Sequence, residues 1–525
     1  MRLFVIALLL IPSLVWSQSQ YDMLIVNGRI LDGTGNSWFR ADLAIKNGKI
    51  AAIGRKLPRN EGTEVIDAKD MIVAPGFIDV HTHIEGEEKR TPTADNFIYD
   101  GVTTVITGNC GSSQVETGPY LLFIDSLRLS VNVATLIGHN NVRRAVMGRA
   151  MRDATPDELQ QMVGLVEAAM QQGAVGFSTG LIYIPGSYAN TNEVVVLAAA
   201  AAKYNGVYAS HIRNEGDSVV SAIQEAIYIG EANRMPVEIS HFKVSGQQNW
   251  GRSKETLQLI IQARKKGLDV TIDQYPYTAS STSLSTLLPD AILADEQDSV
   301  KARLERPEIR KFVINYMLDR LKKRKLKHFS YPVVANYRHD TSFNGKSIEQ
   351  INLLMGRRHK AKEEALSIIN MMINGGASMV FHGMAEEDVK RIMQYPFNMF
   401  ASDASIREWG VGVPHPRGYG TNARVLGKYV REENVLSLEE AIRRMTSLPA
   451  QKFQLEDRGL LREGMAADIV IFDPSVIRDQ ATYDQPHQYA AGIEFVWVNG
   501  QLVLRDGRHT GIRSGKSLRG KGFQK

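Results

Sequence analysis

A single cysteine, Cys110, stands in 525 residues, so no intramolecular disulfide can form. Long apolar runs are as scarce. The notable one, residues 3–16, is interrupted at Pro12 and Ser13 and falls short of the about 20 residues that a bilayer span needs, which excludes a multi-span membrane protein. Charge of one sign is not in excess either. With 62 basic against 57 acidic residues the net charge is +5, weak ground for a nucleic-acid partner. Basic clusters at 320–328 and in the last dozen residues read as a solvated face and a solvated tail. What is present, 43% hydrophobic and 23% charged residues, excludes a disordered or collagen-like chain. A chain of this length buries a large core without covalent staples.

The N-terminus carries Arg2, an apolar stretch from Leu3 to Trp16, and the small Ser17. One positive charge, an apolar run and a small residue fit a secretory signal peptide over residues 1–17. On that reading the mature protein is periplasmic or secreted, with no stable membrane association after signal removal. One basic residue leaves with the signal, so the charge falls from +5 to +4. An uncleaved N-terminal anchor is the alternative.

Both ends of the chain look like β-structure. Apolar runs beside Asn27-Gly28, Asn47-Gly48 and Asn499-Gly500 are hairpin signals. Two β-rich ends around a long middle predict one small β-domain built from both termini. The middle alternates strand and helix. Thr155, Pro156 and Glu158 form a helix start with a capping box, apolar residues follow at helical spacing, and Gly173 closes the helix. Helices near 192–204, 217–233 and 253–266 each lead into a strand, at 206–211, 236–241 and 268–275. Such repetition argues for βαβ units and a parallel sheet. Strands at 77–83, 102–110, 131–139, 174–178, 378–382 and 398–403 bring the candidates to nine, one more than a closed (β/α)8 barrel takes, with 378–382 the one to set aside. Residues 290–350 break the rhythm with charge and a helix predicted at 297–325, and read as an insertion over one face.

The strand ends carry the chemistry. The strand from 77 ends Asp79-Val80-His81-Thr82-His83; others end at Cys110, His211, His241 and Asp403. Parallel β/α folds place reactive groups at the carboxyl ends of their strands, and residues two apart on a strand share a side. Singly, each side chain has a bland reading: a hydrogen-bonded histidine, a small buried cysteine, a loop-capping aspartate. Six together on one rim read as a metal site, and imidazole, thiolate and carboxylate suit zinc. His139 also ends a strand and is left as a structural or supporting residue.

Pro75-Gly76-Phe77-Ile78-Asp79-Val80-His81-Thr82-His83 resembles the opening signature of the amidohydrolase superfamily. More narrowly, the chain resembles the N-acyl-D-amino-acid deacylases, or D-aminoacylases, from about residue 21 to 515. The resembling blocks are Gly108-Asn109-Cys110-Gly111, Gly180-Leu181-Ile182-Tyr183-Ile184-Pro185-Gly186, His211-Ile212-Arg213-Asn214-Glu215, Ser240-His241-Phe242-Lys243, Asp273-Gln274-Tyr275-Pro276-Tyr277, Ser402-Asp403 and His415-Pro416-Arg417. The resemblance implies an α/β fold, a metal-bearing (β/α)8 TIM barrel over 76–449 with a lid-like insertion at 290–350. A small β-sandwich would come from residues 18–75 and 450–515. It implies that Cys110, His211 and His241 hold a tight zinc, and that His81, His83 and Asp403 form a second, weaker site with Asp403 as general base. Lys243, Arg417 and Tyr275 or Tyr277 would grip a substrate carboxylate, and Tyr183 would assist at the scissile carbonyl. The implied reaction is hydrolysis of an N-acyl-D-amino acid, or a short peptide, to a carboxylate and a free D-amino acid. A D-residue dipeptidase or a cyclic-amide hydrolase is the runner-up, and a non-catalytic scaffold the reading from another class. Ala404, the run Gly420-Thr421-Asn422-Ala423-Arg424 and the run Leu287-Leu288-Pro289-Asp290 depart from the family pattern, which leaves the acyl and side-chain preference open.

Overall fold

Eight short, wholly buried strands form the centre of the computed structural model, which describes residues 20–59 and 63–524. They are β1 (Phe77–Asp79), β2 (Val102–Thr107), β3 (Asn132–Thr135, resumed at Ile137–Gly138), β4 (Gly176–Gly180), β5 (Val207–His211), β6 (Val237–Ile239), β7 (Val270–Gln274) and β8 (Asn398–Phe400). β1, β2 and β3 pair in parallel, and so do β3 to β8 in order. Just past the ends of β8 and β1, Asp403 N donates to His81 O and His83 N to Ala404 O, each at 2.9 Å, beside a parallel bridge between Thr82 and Ala404. Strands covered on both faces need continuous apolar or small residues rather than alternation, which is how Val102-Thr103-Thr104-Val105-Ile106-Thr107 reads.

The helices sit outside. Pro156–Gln171 begins with the capping box read in the sequence: Glu158 N donates to Thr155 Oγ1 at 3.3 Å and Thr155 N to Glu158 Oε2 at 2.8 Å. Val166, Ala169, Met170, Leu197, Ala201, Ile223 and Ile260 bury the inner faces of successive helices against the strands.

The strand at Ser378–His382 lies outside the barrel. It pairs antiparallel with Ala279–Ser283 and Pro332–Asn336. With helices Gln297–Glu305, Pro307–Lys323, Ile348–Leu354 and Ala361–Ile373 it encloses a separate core of Leu304, Val313, Ile351, Ile368 and Met379. The inserted module therefore runs from Ala279 to His382, wider than the predicted 290–350. Its first strand, Ala-Ser-Ser-Thr-Ser, has no apolar signature. The helix predicted at 297–325 is two helices. Arg306 is extended (φ −79°, ψ 127°) ahead of Pro307, which opens the second helix, because a residue before proline is pushed out of the helical region.

The termini meet in one nine-stranded sheet, where Ile469–Phe472 pairs antiparallel with Ile72–Pro75. Met23–Ile30 pairs with Glu64–Asp67 over its first half and with Ile72–Pro75 over its second, and the sheet wraps a core of Leu43, Ile45, Ile66, Ile469 and Trp497. The predicted boundary at 449/450 falls inside a helix, Ser447–Lys452, and Leu448, Ala450 and Phe453 pack on Ile78 and Met399 of the barrel. The basic tail is not solvated backbone. Gly515 N, Leu518 N, Gly520 N and Gln524 N donate to the carbonyls of Leu129, Val133, Gly173 and Gln171 at 2.7–2.9 Å. Glycine is what allows this approach: a Cβ on Gly515 would meet Val131 O at 2.0 Å. The signal-peptide reading of residues 1–17 lies outside the described residues.

Candidate metal centre

The end of β1 turns His81 and His83 towards the barrel mouth, and four further donors meet them. Cys110 Sγ lies 3.3 Å from His81 Nε2, 3.3 Å from His211 Nδ1 and 3.6 Å from His241 Nε2, while His211 Nδ1 and His241 Nε2 are 2.7 Å apart. Asp403 Oδ1 lies 3.2 Å from His83 Nε2 and 3.7 Å from His81 Nε2. Three overlapping sets, His81/His83/Cys110, Cys110/His211/His241 and His81/His241/Asp403, each have donor atoms within 4.8 Å of one another. The structure thus brings all six strand-end residues together.

Two carboxylates aim this cluster. Asp273 Oδ2 is 3.2 Å from His81 Nδ1, and Asp273 Oδ1 accepts from His241 N at 2.9 Å. Glu215 Oε1 is 3.1 Å from His241 Nδ1 and accepts from Lys243 Nζ at 2.5 Å. A carboxylate on Nδ1 keeps the proton there and leaves Nε2 as a free lone pair, the usual support of a metal-bound histidine. Behind Asp273 sits Glu238, buried on β6. Burial and the charge of Asp273 push its carboxyl well above the usual carboxylate range. Sequence reasoning missed all three as supporting residues. The strand-end rule applies equally to Asp273, and a lone glutamate inside the apolar run Val237-Glu238-Ile239 is itself a signal. Glu215 had no comparable marker.

Electrostatics prepare the donors for a cation. Burial raises the Cys110 thiol, but the imidazoles of His81 and His211 outweigh it and hold the thiol well below its ordinary value. Burial likewise opposes ionisation of Asp403, but Arg417, with Nη1 2.8 Å from Asp403 Oδ2, and His81 outweigh it and hold the carboxylate well below its usual range. Cys110 (φ 52°), His241 (φ 37°) and Asp403 (φ 49°) all adopt left-handed backbone, a strained state that for non-glycine residues concentrates at functional sites. A thiolate, imidazoles and a carboxylate, with the second nitrogens of His81 and His241 already committed to carboxylates, fit a zinc ion.

The remaining predicted residues divide. A cavity of about 1290 Å³ opens over Cys110 and Asp403, lined by Tyr183, Arg417, Arg407 and, from the inserted module, Ser281–Ser283, Asn336, Arg338 and Ser378. Tyr183 sets its ring edge-on to His211 at 4.7 Å and its hydroxyl 3.0 Å from Thr282 Oγ1. Lys243, Tyr275 and Tyr277 do not line this cavity. Lys243 is engaged with Glu215 and the His241 carbonyl. The Tyr275 ring packs 4.4 Å from the Arg417 guanidinium, and Tyr277 faces Arg424. His139 opens the helix His139–Met147 and pairs through Nε2 with Glu193 at 2.9 Å, apart from the ligand cluster.

The Amidohydrolase family matches residues 64–308 and 363–504. A D-aminoacylase of Alcaligenes xylosoxydans xylosoxydans is 35% identical over 96% of this chain and 98% of its own. Among solved structures, an N-acyl-D-glutamate deacylase from Bordetella bronchiseptica, complexed with zinc and a phosphonate mimic of the tetrahedral intermediate, superimposes with a TM-score of 0.80 at 35% identity over 95% of this chain and 99% of that one. A D-aminoacylase whose binuclear metal centre is described by one-metal activation and second-metal attenuation gives 0.79 at 32% identity over 95% and 100%. With this extent of match, the chain belongs to the amidohydrolase family, on its D-aminoacylase branch.

Proposed function

We propose that the protein is a zinc-dependent hydrolase that cleaves N-acyl-D-amino acids to a carboxylate and a free D-amino acid. The observation that carries this is the convergence of Cys110, His211 and His241 with the Asp403–Arg417 pair beneath one large cavity. Cys110, His211 and His241 would hold the ion, with His81, His83 and Asp403 around a second position. When bound, zinc supplies Lewis acidity towards the scissile carbonyl and lowers the pKa of a water towards ~7.

The protein's own groups do the rest. Asp403 is ionised, faces His81, His83 and the cavity, and is placed to take a proton and hand it to the leaving nitrogen. Arg417 holds Asp403 with Nη1 and lines the cavity, so its guanidinium can also receive the substrate carboxylate. The ring of Tyr275 supports it from below, and Lys243 lies 5.6 Å from the same ring. The Arg407 side chain, whose Nε lacks a partner, adds a second guanidinium to the cavity wall, and both favour an anionic substrate. Tyr183 closes the side nearest His211. The test is release of free amino acid from paired N-acetyl-D- and N-acetyl-L-amino acids, with metal content assayed alongside. D-selective release abolished by chelation is expected; no release from either enantiomer by the zinc-loaded protein would overturn the reading.

The N-terminal segment supports a periplasmic or secreted location. No helix among the described residues is long and apolar enough to cross a membrane. Recovery of the native protein in the cytosolic fraction would remove that reading.

A further inference from the structure

A second cluster of metal donors lies in the inserted module, away from the barrel mouth. His328 stands in the segment before the strand Pro332–Asn336, Glu349 in the first turn of helix Ile348–Leu354, His359 in the link that follows, and Glu364 in the first turn of helix Ala361–Ile373. Four segments that need not meet place one donor atom each within 4.8 Å of one another. His328 Nδ1 is 2.6 Å from Glu364 Oε1 and 3.9 Å from Glu349 Oε1, and His359 Nε2 is 2.6 Å from Glu349 Oε1. The spread matches that at the main centre, where the Cys110, His211 and His241 donors lie 2.7–3.6 Å apart.

Ordinary ion pairing does not account for the arrangement. The Glu364 side chain is fully buried (0% exposed), with one oxygen on Phe329 N at 2.7 Å and the other on His328. A buried carboxylate needs full compensation of its charge. The two imidazoles lie stacked, 4.0 Å between centroids and 21° between planes, so protonating both sets two like charges face to face. Neutral imidazoles leave two negative charges against two hydrogen-bond donors. One divalent cation neutralises both carboxylates and uses both imidazole lone pairs.

We propose that His328, Glu349, His359 and Glu364 form a structural metal site for a first-row divalent ion, zinc by the chemistry of two imidazoles and two carboxylates. His359 is half-exposed and Glu364 buried, so the ion enters from solvent and seats on a fixed inner ligand. The site clasps the starts of two helices to the module's sheet. Helix Ala361–Ile373 runs from it to Asn374–Ser378 on the wall of the large cavity, so the ion anchors the far end of the element that shapes that wall. The site stands apart from the hydrolytic reading.

The test compares zinc per chain in wild type, His359→Gln and Cys110→Ala after dialysis against one buffered free-zinc concentration, with zinc-edge anomalous scattering from wild-type crystals. Expected are one zinc fewer in His359→Gln, at least a hundredfold weaker binding there, retention of that zinc in Cys110→Ala, and an anomalous peak between the four side chains. His359 is at the surface, so the variant should fold. Equal zinc in wild type and His359→Gln, with no peak at the cluster, would overturn the proposal. Loss of hydrolysis in Cys110→Ala speaks only to the main centre.

Discussion

Glu215→Gln isolates the electrostatic support of the main centre, because it removes one charge and keeps the side chain's shape. In the wild type, His241 Nδ1 has two neighbours, Glu215 Oε1 at 3.1 Å and Lys243 Nζ at 2.9 Å. Glu215 decides between them. As an anion it draws the imidazole proton to Nδ1 and binds the ammonium, leaving Nε2 free as a ligand. A glutamine cannot hold the ammonium with equal force, so Lys243 turns its proton onto Nδ1 and His241 is driven to the tautomer whose Nε2 is protonated and cannot ligate. Losing such a support costs about 10–100-fold in metal affinity, or about 1.4–2.7 kcal/mol. Lys243 is also left buried without a counter-charge. Burial depresses its pKa and Glu215 outweighs that in the wild type, so removing one partner of this buried pair should cost about 3–5 kcal/mol of stability. The readouts are zinc affinity by chelator competition and the melting temperature of the apo and zinc forms. The double variant Glu215→Gln/Lys243→Met separates the two effects. It removes the competing donor, so it should recover most of the stability and part of the affinity, with a coupling of about 1–3 kcal/mol. Wild-type zinc affinity in Glu215→Gln, or a double variant no better than the single, would refute the reasoning.

Asp403→Asn should lower kcat/KM by about 10²–10⁴-fold, the range for loss of a general base, while the zinc held by Cys110, His211 and His241 remains; an unchanged rate with unchanged zinc would remove Asp403 from the chemistry. Lys452 is 4% exposed and donates to Asp269 O at 2.9 Å; burial, partly offset by Asp269, lowers its pKa from 10.5 to about 8. Between pH 8 and 10.5 the unfolded chain therefore binds more protons, stability from this group rises with pH, and the full cost of about 3 kcal/mol applies below pH 8. Lys452→Met should accordingly be stabilising at pH 7 and lose that advantage above about pH 10.5; an equal gain at both ends of a denaturation series would contradict it. Truncation after residue 511 removes the backbone hydrogen bonds of Gly515, Leu518, Gly520 and Gln524 to the barrel, worth about 1 kcal/mol each. A melting temperature unchanged by the truncation would show that the tail contributes nothing.

The candidate ligands were legible because a parallel barrel forces a relation between sequence and space. Each strand delivers the residues at or just past its end to one rim, so His81, Cys110, His211, His241 and Asp403 could be picked out by position alone. The same relation marked the capped helix at 156 and the alternation of elements. It fails where no period constrains direction. Glu215 lies in a loop four residues past His211, and nothing local says that its carboxylate returns to His241. Lys243 looks like a free cation in sequence and becomes the partner of Glu215 only in the fold. The extent of the inserted module was missed because Ala279–Ser283 carries no apolar pattern and was invisible as a strand, whereas Ser378–His382 was legible and rightly set aside from the barrel. His328 and Glu349 lie in the charge-rich stretch 290–350 and His359 and Glu364 beyond it, and nothing marks the four as a set, since their spacings match no single element.

A stronger regularity emerges at the centre itself. Three candidate ligands that follow three different strands, Cys110, His241 and Asp403, take left-handed backbone, at about 1–3 kcal/mol each. Such conformations persist only where the surroundings over-determine them. Here the constraint is visible: Asp273 binds His241 N as well as His81, and Asp403 N donates to His81 O across the seam between β8 and β1. At His241 and Asp403 the contacts that fix the strained backbone therefore run through Asp273 and His81, within the donor cluster itself. A substitution that relaxes the backbone at His241 or Asp403 should then move the donor atoms of the other, so the metal affinities of variants at Asp273 and at the β8–β1 seam should couple rather than add.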